Sequence, residues 1–243
     1  MNIDAKSLSY GIRCFIAGFN LINQPRLRRF VIIPLLINIA LFGLASWLLW
    51  HYLSTTVDSM LPSWLSWLAW LVLPVFMVSI LTLVYYCFTL VANIIAAPFY
   101  GQLSKGVEAY LRGQPYEESQ DESFLKEVLQ MLGSELRKIS YYLVRALPLL
   151  ILSLIPGINV ISLPLWLLFS AWFLTFEYAG YGFENHKILF KEQKRILNKA
   201  QMNSMTFGGV SLLATTIPIV NLVAPAIAVA GATKMFYERG DLN

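Results

Sequence analysis

The sequence predicts an all-α integral membrane protein. Its parts are two long transmembrane helices, two partly inserted (re-entrant) helical hairpins and amphipathic cytoplasmic helices. Three observations carry the prediction. All 18 Lys and Arg residues of the 243-residue chain lie before Phe30 or after Ser104, and the stretch between holds a single formal charge, Asp58. Two later apolar blocks are interrupted by prolines into arms too short to cross a bilayer. Hydrophobic residues make up 57% of the chain and charged residues 13%, with a mean hydropathy of +0.61; a soluble domain carries roughly a quarter charged residues.

The charge asymmetry predicts topology, because basic residues near membrane spans stay on the cytoplasmic side. The chain is expected to leave the cytoplasm near Phe30, turn outside around Asp58 and return before Lys105. Residues 1–29 then form a cytoplasmic N-terminal helix, retained because MNIDAKSLSYGIRCF lacks a signal-peptide layout and a small-residue cleavage site. Residues 30–104 form the transmembrane hairpin. Phe30 to Trp50 is an uncharged run of about 20 residues, enough for one crossing, and Trp47, Trp50, His51 and Tyr52 mark its outer end as an aromatic belt. Leu61–Tyr100 holds the second crossing, opened by Pro62 with Trp64, Trp67 and Trp70, and ends where Pro98 and Gly101 break the pattern.

Residues 105–142 read as amphipathic cytoplasmic helices. One apolar stripe is Val107, Tyr110 and Leu111; another is Phe124, Leu125, Val128, Leu129 and Leu132. They either pack on a core of their own or lie in the headgroup plane.

The apolar blocks at residues 143–180 and 207–237 are the re-entrant hairpins, separated by a cytoplasmic helix at 181–206. The first is broken by Pro156-Gly157 and Pro164, the second by Pro218 and Pro225. Each arm is about 10 to 14 residues, short of a full span. The breaks resemble each other: Ile155-Pro156-Gly157-Ile158-Asn159 is matched by Ile217-Pro218-Ile219-Val220-Asn221. Backbone groups freed at mid-membrane depth must be buried in protein or line a wet cavity, so Pro156, Asn159, Pro218 and Asn221 are candidate pore or hairpin-turn residues. A single kinked span, or two short spans, is the competing drawing of each block. A single span would place Lys187, Lys191, Lys194, Arg195 and Lys199 on the wrong face.

Net charge +4 comes from basic residues flanking apolar segments, which points to lipid rather than nucleic acid. Cys14 and Cys87 have no CxxC neighbour, and no metal, nucleophile or phosphate-loop motif is present. No cofactor and no enzymatic activity are expected. His51 reads as a belt residue and His186 as a solvated surface histidine.

The sharpest polar feature runs from Gly18 to Phe30. Pro25 is suited to the first position of a helix, with Asn23 or Gln24 before it. Arg26, Arg28 and Arg29 then stand in the first turns of the first span, beside its unpaired N–H groups and positive dipole end. Such a cluster suits a tetrahedral oxyanion, since arginine offers a fixed fork of donors. It serves equally as a topology anchor on phospholipid.

The motifs Asn23-Gln-Pro-x-x-Arg-Arg-Phe-Val-Ile-x-Pro-Leu-x-x-Asn38, Ile95-Ala-Ala-Pro-Phe99, Arg145-Ala, Ile155-Pro-Gly-Ile158, Phe169-Ser-Ala-Trp172, Asn185-His-Lys187, Phe190-Lys-Glu192, Ile217-Pro-x-x-Asn221 and Gly231-Ala-Thr233 follow one another in order. In these the chain resembles the CysZ-type bacterial sulfate permeases. The resemblance implies sulfate uptake across the inner membrane for cysteine biosynthesis, two true transmembrane helices with partly inserted hairpins, and a homo-oligomer in the lipid bilayer. It implies a sulfate site at Arg28 and Arg29, with Gly18, Phe19, Asn20 and Leu21 as a turn supplying backbone donors and Arg26 as a further candidate. Two rival readings are a non-transporting scaffold binding acidic lipid or a partner protein, and a lipid-headgroup enzyme using Glu177, Glu184 and His186.

Overall fold

The computed structural model describes residues 8–60, 75, 78, 95–116 and 124–242, and every regular element among them is helical. In chain order these are α1 (Leu8–Ile22), α2 (Arg29–Met60), α3 (residues 95–111), α4 (Phe124–Leu154), α5 (Asn159–Asn185), α6 (Phe190–Lys199), α7 (Gln201–Thr216), α8 (Pro218–Asn221) and α9 (Ala224–Glu238). The chain divides into two compact units, Met1–Val31 with Ala97–Asn243, and Ile32–Ala96. Apart from residues 75, 78 and 95–100, the expected second crossing with its tryptophan cluster and Cys87 lies outside the described residues, as do the side chains of Phe124–Leu132.

The Ile32–Ala96 unit holds most of α2, which is apolar all round, as a helix facing lipid should be. Ile32, Ile33, Leu36, Ile39, Phe42, Leu44 and Trp47 are all exposed, and the segment Arg29–Leu48 has a mean hydropathy of 2.2. The helix does not end at the aromatic belt. It continues to Met60 and includes Asp58, so Asp58 lies in helix rather than in the turn expected around it. Pro34 is tolerated within the helix: it lies in the second turn, where it removes one hydrogen bond, to the Phe30 carbonyl.

The larger unit is organised around α9. Ala226, Ile227, Ala228, Val229, Ala230, Gly231, Ala232 and Thr233 are all buried, so the helix is enclosed on every side. Its small residues allow backbones to approach closely, the usual means of packing helices where lipid removes the hydrophobic drive. α1 crosses α9 antiparallel. The Tyr10 hydroxyl donates to Glu238 Oε2 (3.0 Å) near one end, and Gly18 meets the Ile227 carbonyl near the other. A Cβ at Gly18 would overlap that carbonyl oxygen, which is why glycine stands there. α5 and α7 pack antiparallel in the same way: Gly208 lies on the Ala171 carbonyl, and the Thr175 hydroxyl donates to the Ser204 carbonyl (2.5 Å).

α4 and α5 form an antiparallel pair. Trp166 Nε1 donates to Ser153 Oγ (3.1 Å), Tyr142 packs on Phe169 and Phe173, and Tyr141 stacks on Phe176. The turn joining them is Ile155–Ile158, where Gly157 takes φ +85, a conformation that favours glycine. The helices are longer than the expected arms. α4 runs unbroken through residue 142 and past Pro148, and α5 contains Pro164 without interruption. Each internal proline removes one hydrogen bond, which the tertiary contacts of a long helix outweigh. Pro218 and Pro225 behave as expected of breakers: Ile217 is extended, Pro218 opens α8 and Pro225 sits in the first turn of α9.

Candidate functional site

The link between α1 and α2 is built by two buried apolar anchors. Leu27 and Phe30 are 2% and 3% exposed; Leu27 lies over Gly106, and Phe30 packs edge-to-face on Tyr116 (5.5 Å). With these two positions turned inward, Arg26, Arg28 and Arg29 are left exposed. Gln24 closes the turn, its carbonyl accepting from both Leu27 N (2.9 Å) and Arg28 N (3.1 Å). The next bonds, Phe30 N to Leu27 O and Val31 N to Arg28 O, reach back only three residues. Regular helix therefore begins at Arg29, four residues later than Pro25 suggests. Pro25 lies in the turn, with Arg26 and Arg28 beside it, and only Arg29 belongs to α2.

Gly18, Phe19, Asn20 and Leu21 are not a turn. They are the last turns of α1, where backbone N–H groups bond within the helix and only carbonyls are left open. Phe19 O accepts from Asn23 Nδ2 (3.0 Å), and Leu21 O from Gln24 N (3.0 Å). Backbone donors from 18–21 are thus ruled out by helix polarity. Gly18 and Leu21 are buried, and Phe19 and Asn20 face outward. The α1 terminus also gives the arginines a favourable dipole partner: Arg28 Nε donates to Asn23 O (2.8 Å) at the negative end of α1. That holds the guanidinium in place with its other N–H groups directed elsewhere. The Arg29 guanidinium lies over the rings of Phe30 (4.7 Å) and Tyr116 (5.6 Å), a cation–π contact that restrains it.

The antiparallel register of α1 and α9 sets the α1 C-terminus beside the start of α9. The Arg26–Arg29 turn and Asn221 consequently lie at the same end of that helix pair. Asn221 is exposed, its N–H bonded to Ile217 O (2.8 Å). Pro156 and Asn159 are exposed too, as are all residues from Leu154 to Ile161. The Asn159 turn is therefore not enclosed by its own chain.

The sequence did not mark the buried ion pairs. Lys138 is 1% exposed, bonded to Glu184 Oε1 (2.9 Å) and set over the Tyr181 ring (4.9 Å). His186 is not a solvated histidine: its Nε2 lies 2.7 Å from Oε2 of buried Glu108, which also meets Arg112. These partners come from separate helices, and only the i,i+4 spacing of Glu108 and Arg112 was visible in sequence. Glu184 meets Lys138, and His186 meets Glu108. In α1, burial pushes the Cys14 thiol up to about 11 and raises the Tyr10 phenol.

Residues 14–225 match the family model described as sulfate transporter CysZ/etoposide-induced protein 2.4. The chain is 43% identical to the sulfate transporter CysZ of Pectobacterium atrosepticum over 233 residues, covering 94% of this chain and 85% of that protein. With α2 and α5 both long and apolar enough to cross a membrane, the chain belongs to the sulfate transporter CysZ/etoposide-induced protein 2.4 family.

Proposed function

We propose that this protein is a membrane permease that carries sulfate across the bacterial inner membrane into the cytoplasm, for cysteine biosynthesis, without an enzymatic step. The exposed Arg26–Arg29 turn, held by buried Leu27 and Phe30, is the observation that carries the reading, together with the name of the relative just described. Arg28 and Arg29 bind the dianion through guanidinium N–H groups, with Arg26 and the Asn20 amide as further donors. Sulfate has a costly hydration shell, so a path must replace water with cationic and N–H donors. An arginine cluster beside the positive end of α2 does this at one point of the path.

The chain has its termini and its 105–142 and 181–206 segments in the cytoplasm, two full spans, and two partly inserted hairpins. The exposed turn at Asn159 is covered by another copy of the chain, since lipid cannot satisfy its polar groups. This makes the working unit a homo-oligomer. Asn159 and Asn221 offer polar atoms along the path.

The test is radiolabelled sulfate flux into vesicles holding only this protein, with sulfate titrated against wild type, Arg28→Lys and Arg28→Ala. The Ala variant is expected to bind about ten- to a hundredfold more weakly, the scale of a charged hydrogen bond. Lys restores only part of the affinity, because a point charge lacks the bidentate fork. Equal affinities with normal flux would make the arginines topology anchors; absence of flux would return the protein to a scaffold role.

A further inference from the structure

A second group of cations lies away from the Arg26–Arg29 turn. Between α4, α5 and the α6–α7 segment is an open cleft of about 340 Å³, lined by the polar Arg145, Lys194, Asn198 and Gln201 and by the apolar Trp172 and Leu168. We propose that this cleft binds an anionic phospholipid, with Arg145 and Lys194 holding the phosphodiester and the acyl chains lying along the apolar tip of α4 and α5.

The cleft has no carboxylate in its lining. By contrast, Lys138, Arg112, Lys234, Arg239 and Arg195 each pair with Glu or Asp. Among the described residues, Arg145 and Lys194 form no ion pair or hydrogen bond. The Arg145 guanidinium instead stacks on the Tyr141 ring at 3.7 Å. Stacking orients the group and leaves its in-plane N–H donors for an oxyanion. The Asn198 and Gln201 side chains add neutral donors.

The apolar wall continues out of the cleft. Leu147, Leu150, Ile151 and Leu154 on α4, and Leu163 and Leu167 on α5, are exposed. From Arg145 to the end of α4 is about 14 Å of helix, and from Trp172 back to Asn159 about 20 Å. One leaflet of hydrocarbon is about 15 Å deep. The cations and Trp172 therefore sit where headgroups lie if the tip is immersed, the level that Trp and Arg favour. A free inorganic anion would gain nothing from this wall, whereas an amphiphile fills both parts. A second copy docking by its own α4–α5 tip would bring no countercharge, since no acidic residue lies between Arg145 and Glu177. The inference rests on partial insertion of the α4–α5 hairpin.

The test uses the full-length protein in neutral detergent, with native mass spectrometry after addition of dioleoylphosphatidylglycerol or dioleoylphosphatidylcholine. Wild type should retain the anionic lipid about tenfold better, and Arg145→Gln with Lys194→Gln should abolish the difference. Asn198→Asp, of nearly equal size and exposed, should lower retention of the anionic lipid alone. Equal retention of the two lipids, or variants that change nothing, would overturn the proposal. So would displacement of the phosphatidylglycerol by an equal concentration of inorganic sulfate or phosphate, which would make the cleft a free-anion site. Insertion is read separately, by quenching of a bimane on Leu163→Cys with brominated acyl chains in liposomes. Quenching by aqueous iodide instead would sink the hairpin reading whatever the lipid counts show.

Discussion

The α4–α5 hairpin and the α7–α9 hairpin carry nearly the same break in sequence, yet their arms lie in opposite surroundings. At the tip of the first, every residue from Leu154 to Ile161 is exposed, and the aliphatic side chains of both arms project outward. In the second, α9 is enclosed by α1, α5 and α7, and its residues from Ala226 to Thr233 are at most 4% exposed. The difference lies in side-chain size. Leu, Ile and Trp on the first hairpin hold neighbours off and suit lipid. Ala and Gly on the second let helices meet backbone to backbone. A proline followed by an asparagine thus marks where a helix breaks, at an exposed turn in both hairpins, and says nothing about whether the arms beside it are enclosed.

Four tests sharpen that contrast, from the largest effect to the smallest. Glu184→Gln removes the carboxylate 2.9 Å from buried Lys138, and removing one partner of a buried ion pair costs about 3–5 kcal/mol. The expected result is a protein that purifies poorly or melts far below wild type in detergent. Charge-neutral replacement of both partners, Lys138→Met with Glu184→Gln, should recover much of the loss. No recovery would show that the ion pair does more than satisfy itself.

Gly208→Val drives a side chain into the Ala171 backbone within the enclosed packing of α5 on α7. Overpacking of this kind costs about 3 kcal/mol, and a melting scan should fall by roughly 6–12 °C. A melting point unchanged from wild type would mean that the α5–α7 contact is not tight.

Gly157→Ala is the matched change in the open hairpin. Nothing lies within 4 Å of its Cβ position, and the cost comes only from φ +85, about 1 kcal/mol. Its melting point should drop by only a few degrees. A loss as large as that of Gly208→Val would mean that the copy proposed to cover the Asn159 turn packs closely on Gly157 as well.

Cys14 gives the mildest reading. It is 1% exposed between α1 and α9, and burial lifts its thiol to about 11. The pKa is raised, so the reactive thiolate is scarce below that value and increases as pH rises towards it. In a Cys87→Ser background, maleimide at pH 8 should react roughly a hundredfold more slowly than with an ordinary thiol of pKa about 8.5. Fast labelling would reveal that α1 separates readily from α9.

The candidate site divides in the same manner. Three arginines before an apolar helix were legible because charge and hydropathy are properties of each residue. Where the helix begins was not: Pro25 favours a first helical position locally, but burial of Leu27 and Phe30 closes a tighter turn and delays the helix to Arg29. The family resemblance implied a donor turn at Gly18–Leu21, yet the segment is helix, and Gly18 serves close crossing of α1 on α9.

By itself the sequence determined that the chain is helical and suited to a membrane, where prolines break its last apolar block, and which cations gather before the first long helix. These follow from composition and short-range periodicity, which need no partner to be read. Only the tertiary structure decided that α9 is core while the α4–α5 tip is bare. It also decided that Lys138 and Glu108 are buried with partners from distant helices, and that α1 turns its carbonyl end toward the arginines. Each of these depends on which segments, tens or hundreds of residues apart, pack together. In a chain this uniformly apolar, hydropathy cannot separate a helix facing protein from one facing lipid, so side-chain size and the pairing of buried charge make that choice.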